Sequence, residues 1–298
     1  MLRPLPRIRH LFLIILMALP FGVMAQGDMN DVEIIPHQLT ENLYYLEGQG
    51  GNIGVLLGED GVFLVDDQFA PLSGRILNAI AGLTDQPVRY VFNTHIHGDH
   101  VGGNLNMARQ GATIFAHENV RSRLAAGFAE GNMGMLTEEQ RMSLPVVTFP
   151  DSMDFHLNGE DIHVFYNGPG HTDGDAFVYF KNANIIHTGD VFRTIAYPRV
   201  DAGNNGSFHG IMALYQKLLD ISDADTRFLP GHGVVSTRAE VEEQLGIFVT
   251  IRNRVRSAIA SGMSLRQIQA SDFTAEYDER WSDGDAFVAV VYSELLQM

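Results

Sequence analysis

His95-Ile96-His97-Gly98-Asp99-His100 follows directly on the β-favouring run Val88–Asn93 and packs three imidazoles and a carboxylate into six residues. Side chains alternate along a strand, so His95 and His97 point one way, while Gly98 frees the backbone to turn Asp99 and His100 toward a neighbouring position. A tetrahedral zinc that keeps a position open for chemistry takes three protein ligands. The hexapeptide alone offers four, so it predicts a centre for two metal ions rather than one. A histidine-rich polar surface loop is the bland alternative.

Three later segments meet the same demand. Gly168-Pro169-Gly170-His171-Thr172-Asp173-Gly174-Asp175 puts His171 in a glycine turn ahead of a strand. Ile185-Ile186-His187-Thr188-Gly189-Asp190 puts Asp190 at the end of an apolar strand, and Leu229-Pro230-Gly231-His232-Gly233 does the same for His232. Singly, each reads as a turn or capping residue. Together they complete two coordination shells.

The 298 residues contain no cysteine, so disulfides, thiolate nucleophiles and cysteine-type zinc sites are excluded and any metal is held by nitrogen and oxygen. With 45% hydrophobic and 19% charged residues the chain lies in the ordinary globular range. Its net charge of −16 repels phosphate backbones, which argues against nucleic acid as a partner and for a small-molecule substrate. Residues 1–25 read as a signal peptide. Arg3, Arg7 and Arg9 precede the apolar run Leu11–Leu19, which is too short to span a bilayer, and small residues close at Ala25. Its removal leaves 17 basic against 36 acidic residues, about −19, and predicts a periplasmic or secreted protein with no stable membrane span.

No repeat or linker divides residues 26–298, which predicts one domain with C-terminal helices. Strands are expected at Leu43–Glu47, Ile53–Leu57, Val62–Val65, Val88–Asn93 and Thr113–Ala116, with a helix opening at Pro71 and another over Glu118–Glu130. The Met-containing stretch Gly127–Pro145 reads as a lid-like excursion, with helix packing as the alternative. Further strands fall at Asp154–Leu157, Ile162–Tyr166, Ala176–Phe180, Asn184–Thr188 and Arg227–Leu229, and helices at about Gly210–Ile221, Arg238–Ala260 and Asp283–Leu296. Strand-rich halves that each lead into helices imply an α+β fold of two packed sheets with helices outside.

In this ordered motif series, residues 37–260 resemble the metallo-β-lactamase-fold hydrolase superfamily. The resemblance implies a four-layer αββα sandwich and a binuclear zinc centre, with iron or manganese also accommodated by the donors. His95, His97 and His171 would hold the first ion, and Asp99, His100 and His232 the second, with Asp190 bridging both. Asp66, after Val62–Val65, looks like the superfamily's early strand-end aspartate, bracing the ligand loop from outside; a simple turn residue is its other reading. The implied chemistry is attack by a metal-bridging hydroxide on the carbonyl of a small lactam, lactone, ester or thioester, with Asp99 and Asp190 as the catalytic carboxylates. An aspartate rather than a cysteine at the bridging position is similar to the glyoxalase II, lactonase and RNA-processing branches, the last disfavoured by the charge of about −19 and by export, so glyoxalase II-type thioester or lactone hydrolysis stands beside a β-lactamase-like activity. Subclass B3 lactamases share His-x-His-x-Asp-His without a bridging carboxylate.

Substrate-side groups are read from position. Arg193 lies three residues beyond Asp190, where cysteine-type lactamases carry a substrate-gripping lysine, and a guanidinium suits that task; a surface salt bridge is its alternative. Asn204 and Asn205 could donate to an oxyanion or form a plain turn, and Phe69 and residues 133–135 could line an apolar rim. His37, His117, His156 and His163 read as surface or hydrogen-bonded residues, His187 as packed inside, and His209, near an expected helix start, as a residue that could approach the site. Two other classes remain: a di-iron redox protein, though such relatives usually carry a carboxylate at the His97 position and a flavin domain missing here, and a non-catalytic metal-binding protein.

Overall fold

The computed structural model describes residues 29–130 and 134–297; residues 1–25, read above as a signal peptide, and Met133 lie outside them. The first sheet takes strands β1 (Ile35–Gln38), β2 (Leu43–Glu47), β3 (Ile53–Leu56), β4 (Val62–Val65), β5 (Val88–Asn93), β6 (Thr113–His117) and β7 (Val147–Phe149) in sequence order. The second runs backwards from β13 (Ser236–Thr237) through β12 (Arg227–Leu229), β11 (Ile185–His187) and β10 (Ala176–Phe180) to β9 (Glu160–Tyr166) and β8 (Ser152–Leu157). Strands β4 to β7 pair in parallel, as do β11 and β12, which sends their chain-forward ends to one edge of the sheets. The ligand-bearing turns follow β5, β11 and β12.

The four residues of β4 are all fully buried, because both faces of the strand are covered. Phe63 and Val65 point into the layer between the sheets, where they meet Phe92, Phe115, Val164, Val178, Phe180 and Leu229. Val62 and Leu64 point the other way, onto α1 (Ser73–Ala81), whose Ile76 and Ile80 seal that face. On the outer face of the second sheet, Phe177, Ile186 and Phe228 are covered by α6 (Phe208–Ile221), α7 (Arg238–Ala260) and α10 (Asp285–Leu295), through Leu218, Phe248, Val255, Phe287 and Val291 among others. The result is the αββα sandwich.

Most element bounds agree with the sequence reading to within two residues. Short elements escaped it, including β1, β7, α2 (Gly98–Val101), α3 (Asn104–Arg109), α8 (Leu265–Gln269) and α9 (Ala275–Trp281). In the stretch expected to be lid-like, α4 (Glu118–Glu130) runs through Gly127, and a second helix, α5 (Glu138–Met142), is closed by a capping box between Thr137 and Gln140. Leu144 is buried behind it and Asn104 Nδ2 donates to the Ser143 carbonyl at 3.1 Å, which ties the segment to α3. Met135 and Met142 are exposed rather than packed as core. Among the described residues, no helix is long and apolar enough to cross a membrane.

Phe63 sits with its ring edge-on to Phe155 at 5.1 Å and to Phe180 at 6.4 Å, joining the two sheets. Phe63→Ala should lower the unfolding free energy by about 3–5 kcal/mol in urea titration. A loss below about 1 kcal/mol would contradict its place in the inter-sheet layer.

Candidate metal centre

Strand β4 ends in Asp66, whose backbone adopts a left-handed φ of 67°, uncommon for a residue with a side chain. That conformation tucks a fully buried carboxylate under the hexapeptide loop. Asp66 Oδ1 accepts from the Thr94 N–H at 2.7 Å, and Oδ2 accepts from the Thr94 hydroxyl at 2.8 Å and from His100 Nδ1 at 2.7 Å. Because the Thr94 hydroxyl spends its proton on Asp66, it receives the Nδ1–H of His95, 3.0 Å away. One carboxylate thereby orients two imidazoles.

The other rings are tethered in the same manner. His171, between β9 and β10, donates Nδ1–H to the Arg199 carbonyl at 2.7 Å. His97, in extended backbone just before α2, donates Nε2–H to Asp201 Oδ2 at 2.7 Å. With the outward nitrogens of His95, His97 and His171 acting as donors, each inward nitrogen of these three rings carries a lone pair. Those lone pairs face one another: His97 Nδ1 is 3.2 Å from His95 Nε2 and 2.8 Å from His171 Nε2.

A second convergence adjoins the first. His100 Nε2 lies 3.3 Å from Asp190 Oδ1 and 3.6 Å from Asp99 Oδ2, while His232 Nε2 lies 3.0 Å from Asp99 Oδ2 and 3.4 Å from Asp190 Oδ2. Asp190 Oδ2 is also 3.8 Å from His171 Nε2, so this carboxylate touches both groups. His95, His97 and His171 form one set whose donor atoms lie within 4.8 Å of one another; His95, His100 and Asp190 form a second, and Asp99, His100 and His232 a third. All seven residues named from the sequence meet here.

Two close backbone approaches make this possible. A Cβ on Gly231 would fall 2.2 Å from Asp190 Oδ1, and one on Gly51 would fall 2.3 Å from the His100 ring. Both positions therefore require glycine. Asn52 holds the two turns together, donating to the Pro230 and Gly233 carbonyls at 2.9 Å each, while its own carbonyl accepts from His187 Nε2 at 3.0 Å.

The electrostatics state what the cluster lacks. His100 Nε2 and Asp190 Oδ1 are buried with no hydrogen-bond partner. Burial works against charge on His100, but the Asp66 and Asp190 carboxylates override it and hold this imidazole well above the usual histidine range. Burial, reinforced by His100 and His171, pushes His95 well below that range, and burial brings His171 down to about 4. For Asp99 burial is outweighed by the His232 hydrogen bond and the charge of His100, which keep the carboxyl below its ordinary value. Imidazoles around ionised carboxylates form a nitrogen–oxygen donor set that a divalent cation satisfies once it has displaced the proton on His100, and this fits zinc chemistry.

The substrate-side candidates occupy other places. Asn204 donates from Nδ2 to Asp201 Oδ2 at 2.7 Å, and Asn205 donates from Nδ2 to Asp173 Oδ2 at 3.0 Å, so both amides are spent in a network behind His97. Arg123 of α4 closes that network, gripping Asp173 with Nε at 2.6 Å and reaching Asn204 Oδ1 at 3.1 Å. Arg193 meets the site through its backbone, which bridges to His232; its Nε is buried without a partner, and its charge acts on Tyr215 in the helix-side core. Phe69 packs against the α1-side core. His37, His117, His156 and His163 bond to Glu47, Pro150 O, Asp161 and Asp154, away from the cluster. Sequence reasoning missed Asp201, Thr94 and Asn52, since a lone polar residue in a loop carries no signal of its partner.

Residues 46–232 match the family model described as the metallo-beta-lactamase superfamily. A metallo-beta-lactamase type 2 of Bacteroides fragilis is 23% identical over 199 residues, covering 61% of this chain and 72% of that protein. A hydroxyacylglutathione hydrolase of Methylococcus capsulatus is 28% identical over 116 residues, 39% of this chain and 38% of that one. Across the curated relatives compared, the chain spans from 38% to 72% of their lengths. Among solved structures, a metallo-beta-lactamase from Pontibacter korlensis superposes with a TM-score of 0.60 at 18% identity, over 72% of this chain and 99% of that one.

Replacing Asp66 by alanine should weaken zinc affinity roughly 10–100-fold, measured by competition with a chromophoric chelator, because two rings lose their orienting acceptor. Asp201→Ala, which frees one ring, should act in the same direction by about tenfold. Unchanged affinity in both would contradict the tethering described above.

Proposed function

The chain belongs to the metallo-beta-lactamase superfamily, and from that premise we propose that it is an exported hydrolase that uses two metal ions, zinc foremost, to cleave a small lactone, thioester, ester or lactam. His95, His97 and His171 would hold one ion, Asp99, His100 and His232 the other, and Asp190 would contact both. The observation that carries this reading is the set of tethered imidazoles whose inward nitrogens converge on Asp99 and Asp190. The basic-then-apolar stretch before Ala25 supports export to the periplasm.

When bound, such a pair of ions supplies the positive charge that acidifies water near neutral pH and stabilises charge on a carbonyl oxygen. The chain's own groups do the rest. Asp99 is partly exposed and kept ionised by His232, so it can accept and orient a proton from water at the mouth of the cluster. His97, His232 and Asp99 face the approach side, whereas Asp190 and His100 are shut in. Hydrolysis breaks the acyl bond, water supplying OH to the acyl carbon and a proton to the departing group.

Glyoxalase II-type thioester hydrolysis is the second reading, favoured by a carboxylate at residue 190 and by the relative named hydroxyacylglutathione hydrolase. Purified protein assayed on nitrocefin, an acyl thioester and an acyl lactone distinguishes thioester hydrolysis from lactam and lactone hydrolysis. Turnover of at least one substrate, abolished by chelator and restored by zinc, is expected; no turnover of any would overturn the hydrolase proposal, and iron in excess over zinc on elemental analysis would overturn the zinc assignment. Asp190→Ala should cut the rate roughly 1000-fold, since several kcal/mol of charge stabilisation depend on the ions it holds.

The acid side is also determined by the cluster. A cation must displace the proton that Asp66 and Asp190 hold on His100, so affinity rises with pH and falls as the proton returns. Chelator competition at pH 8 and pH 6 should show zinc weakening by about tenfold per pH unit for each proton displaced. A pH-independent affinity would contradict it.

A further inference from the structure

Gly98 separates His97 from Asp99, and these two residues, with His232, are the partly exposed members of the cluster, at 18%, 24% and 17% of their side-chain surface. Beside Gly98 lies a cavity of about 550 Å3. Its apolar lining includes Ile96 of the hexapeptide, Val101, Leu105, and Leu124 and Phe128 of α4, with Gly98 at its edge and Asn104, Asn106 and Ser143 among its polar members. A Cβ built on Gly98 meets nothing within 4 Å, so the main chain between two of the candidate ligands borders open space. The volume lies within the roughly 300–1,000 Å3 typical of small-ligand pockets.

The chemistry of the walls selects what enters. Among the described residues, no lysine or arginine lines the cavity, and the one charged residue there, Glu139, is already paired with Arg109. Arg123, also on α4, is committed to Asp173. An anionic group in this space would find no counter-charge, in a chain whose net charge is −16. An uncharged hydrocarbon arm would gain from the Ile96, Leu124 and Phe128 surfaces.

We infer that this cavity is the subsite for an uncharged apolar arm of the substrate, an aliphatic chain or aryl ring on the acyl side of an ester, thioester or lactone. The inference rests on the hydrolase reading above and narrows it to substrates whose acyl arm carries no carboxylate. The scissile carbonyl sits at the His97–Asp99–His232 mouth while the arm extends past Gly98 between α3 and α4. Gly98 is the specificity-determining position of the passage, since a side chain there would project into it.

The test is a series of p-nitrophenyl esters from acetate to octanoate, assayed with zinc-loaded protein. The specificity constant kcat/KM should rise by up to about fourfold per methylene until the cavity is filled, and by at least tenfold across the series. Leu124→Trp and Leu105→Trp, each checked for folding by circular dichroism, should remove that gain while leaving acetate within about twofold. The p-nitrophenyl monoester of suberic acid, which ends the same chain in a carboxylate, should be at least tenfold slower than octanoate. A flat chain-length profile, equal losses on acetate and octanoate in both variants, or suberate equal to octanoate would overturn the assignment. If no ester is cleaved, the hydrolase reading fails for this class, and the cavity is read directly with N-phenyl-1-naphthylamine. Saturable fluorescence displaced by octanol and lost in Leu124→Trp supports the subsite; its absence overturns it.

Discussion

Lone pairs of three histidines and two carboxylates turned toward one another within a few ångströms repel unless a cation lies among them. That repulsion is the constraint the rest of the molecule serves. His97 Nδ1 stands 2.8 Å from His171 Nε2 with no proton available between them, because both protons point outward to Asp201 and the Arg199 carbonyl. Such an arrangement persists only where surrounding structure over-determines it. Here the over-determination comes from buried acceptors, each holding one ring by its far nitrogen.

The sandwich provides the rigid base for that cage. Parallel strands β4, β5 and β6 deliver Asp66 and the hexapeptide to one edge of the first sheet, and β11 and β12 deliver Asp190 and His232 to the facing edge of the second. Neither sheet holds a complete set of donors. Packing Phe63, Val65 and Phe92 against Val164, Val178 and Leu229 is therefore what brings the two half-sites together, so inter-sheet burial and metal affinity are two aspects of one folding event. The costs are local: a left-handed Asp66, a left-handed Gln68, and glycines at 51 and 231 where any side chain would strike a ligand.

Much of this was legible along the chain. Val62–Val65, Val88–Asn93, Ala176–Phe180 and Arg227–Leu229 are strands with the bounds read from their composition, and Val62–Val65, covered on both faces, is written as an unbroken apolar run. The long helix Arg238–Ala260 was equally plain, its capping box and 3.6-residue apolar repeat being local signals. The short α2, α3, β1 and β7 were not, since three to six residues carry too little periodicity. The helix within the stretch read as lid-like is announced by Thr137 and Gln140, a capping signal overshadowed by the methionines around it.

For the site the division follows the range of the forces involved. Residue chemistry alone determined that this protein binds metal through histidine and aspartate, since three imidazoles and a carboxylate in six positions beside strand-end His171, Asp190 and His232 specify a donor set whatever their exact placement. Only the tertiary structure decided which nitrogen of each ring faces inward, that Asn204 and Asn205 serve Asp201 and Asp173, and that Arg193 meets the site through its backbone. A hydrogen bond depends on geometry accurate to tenths of an ångström between loops far apart in sequence, such as His97 and Asp201, and that geometry exists only after the two sheets have packed.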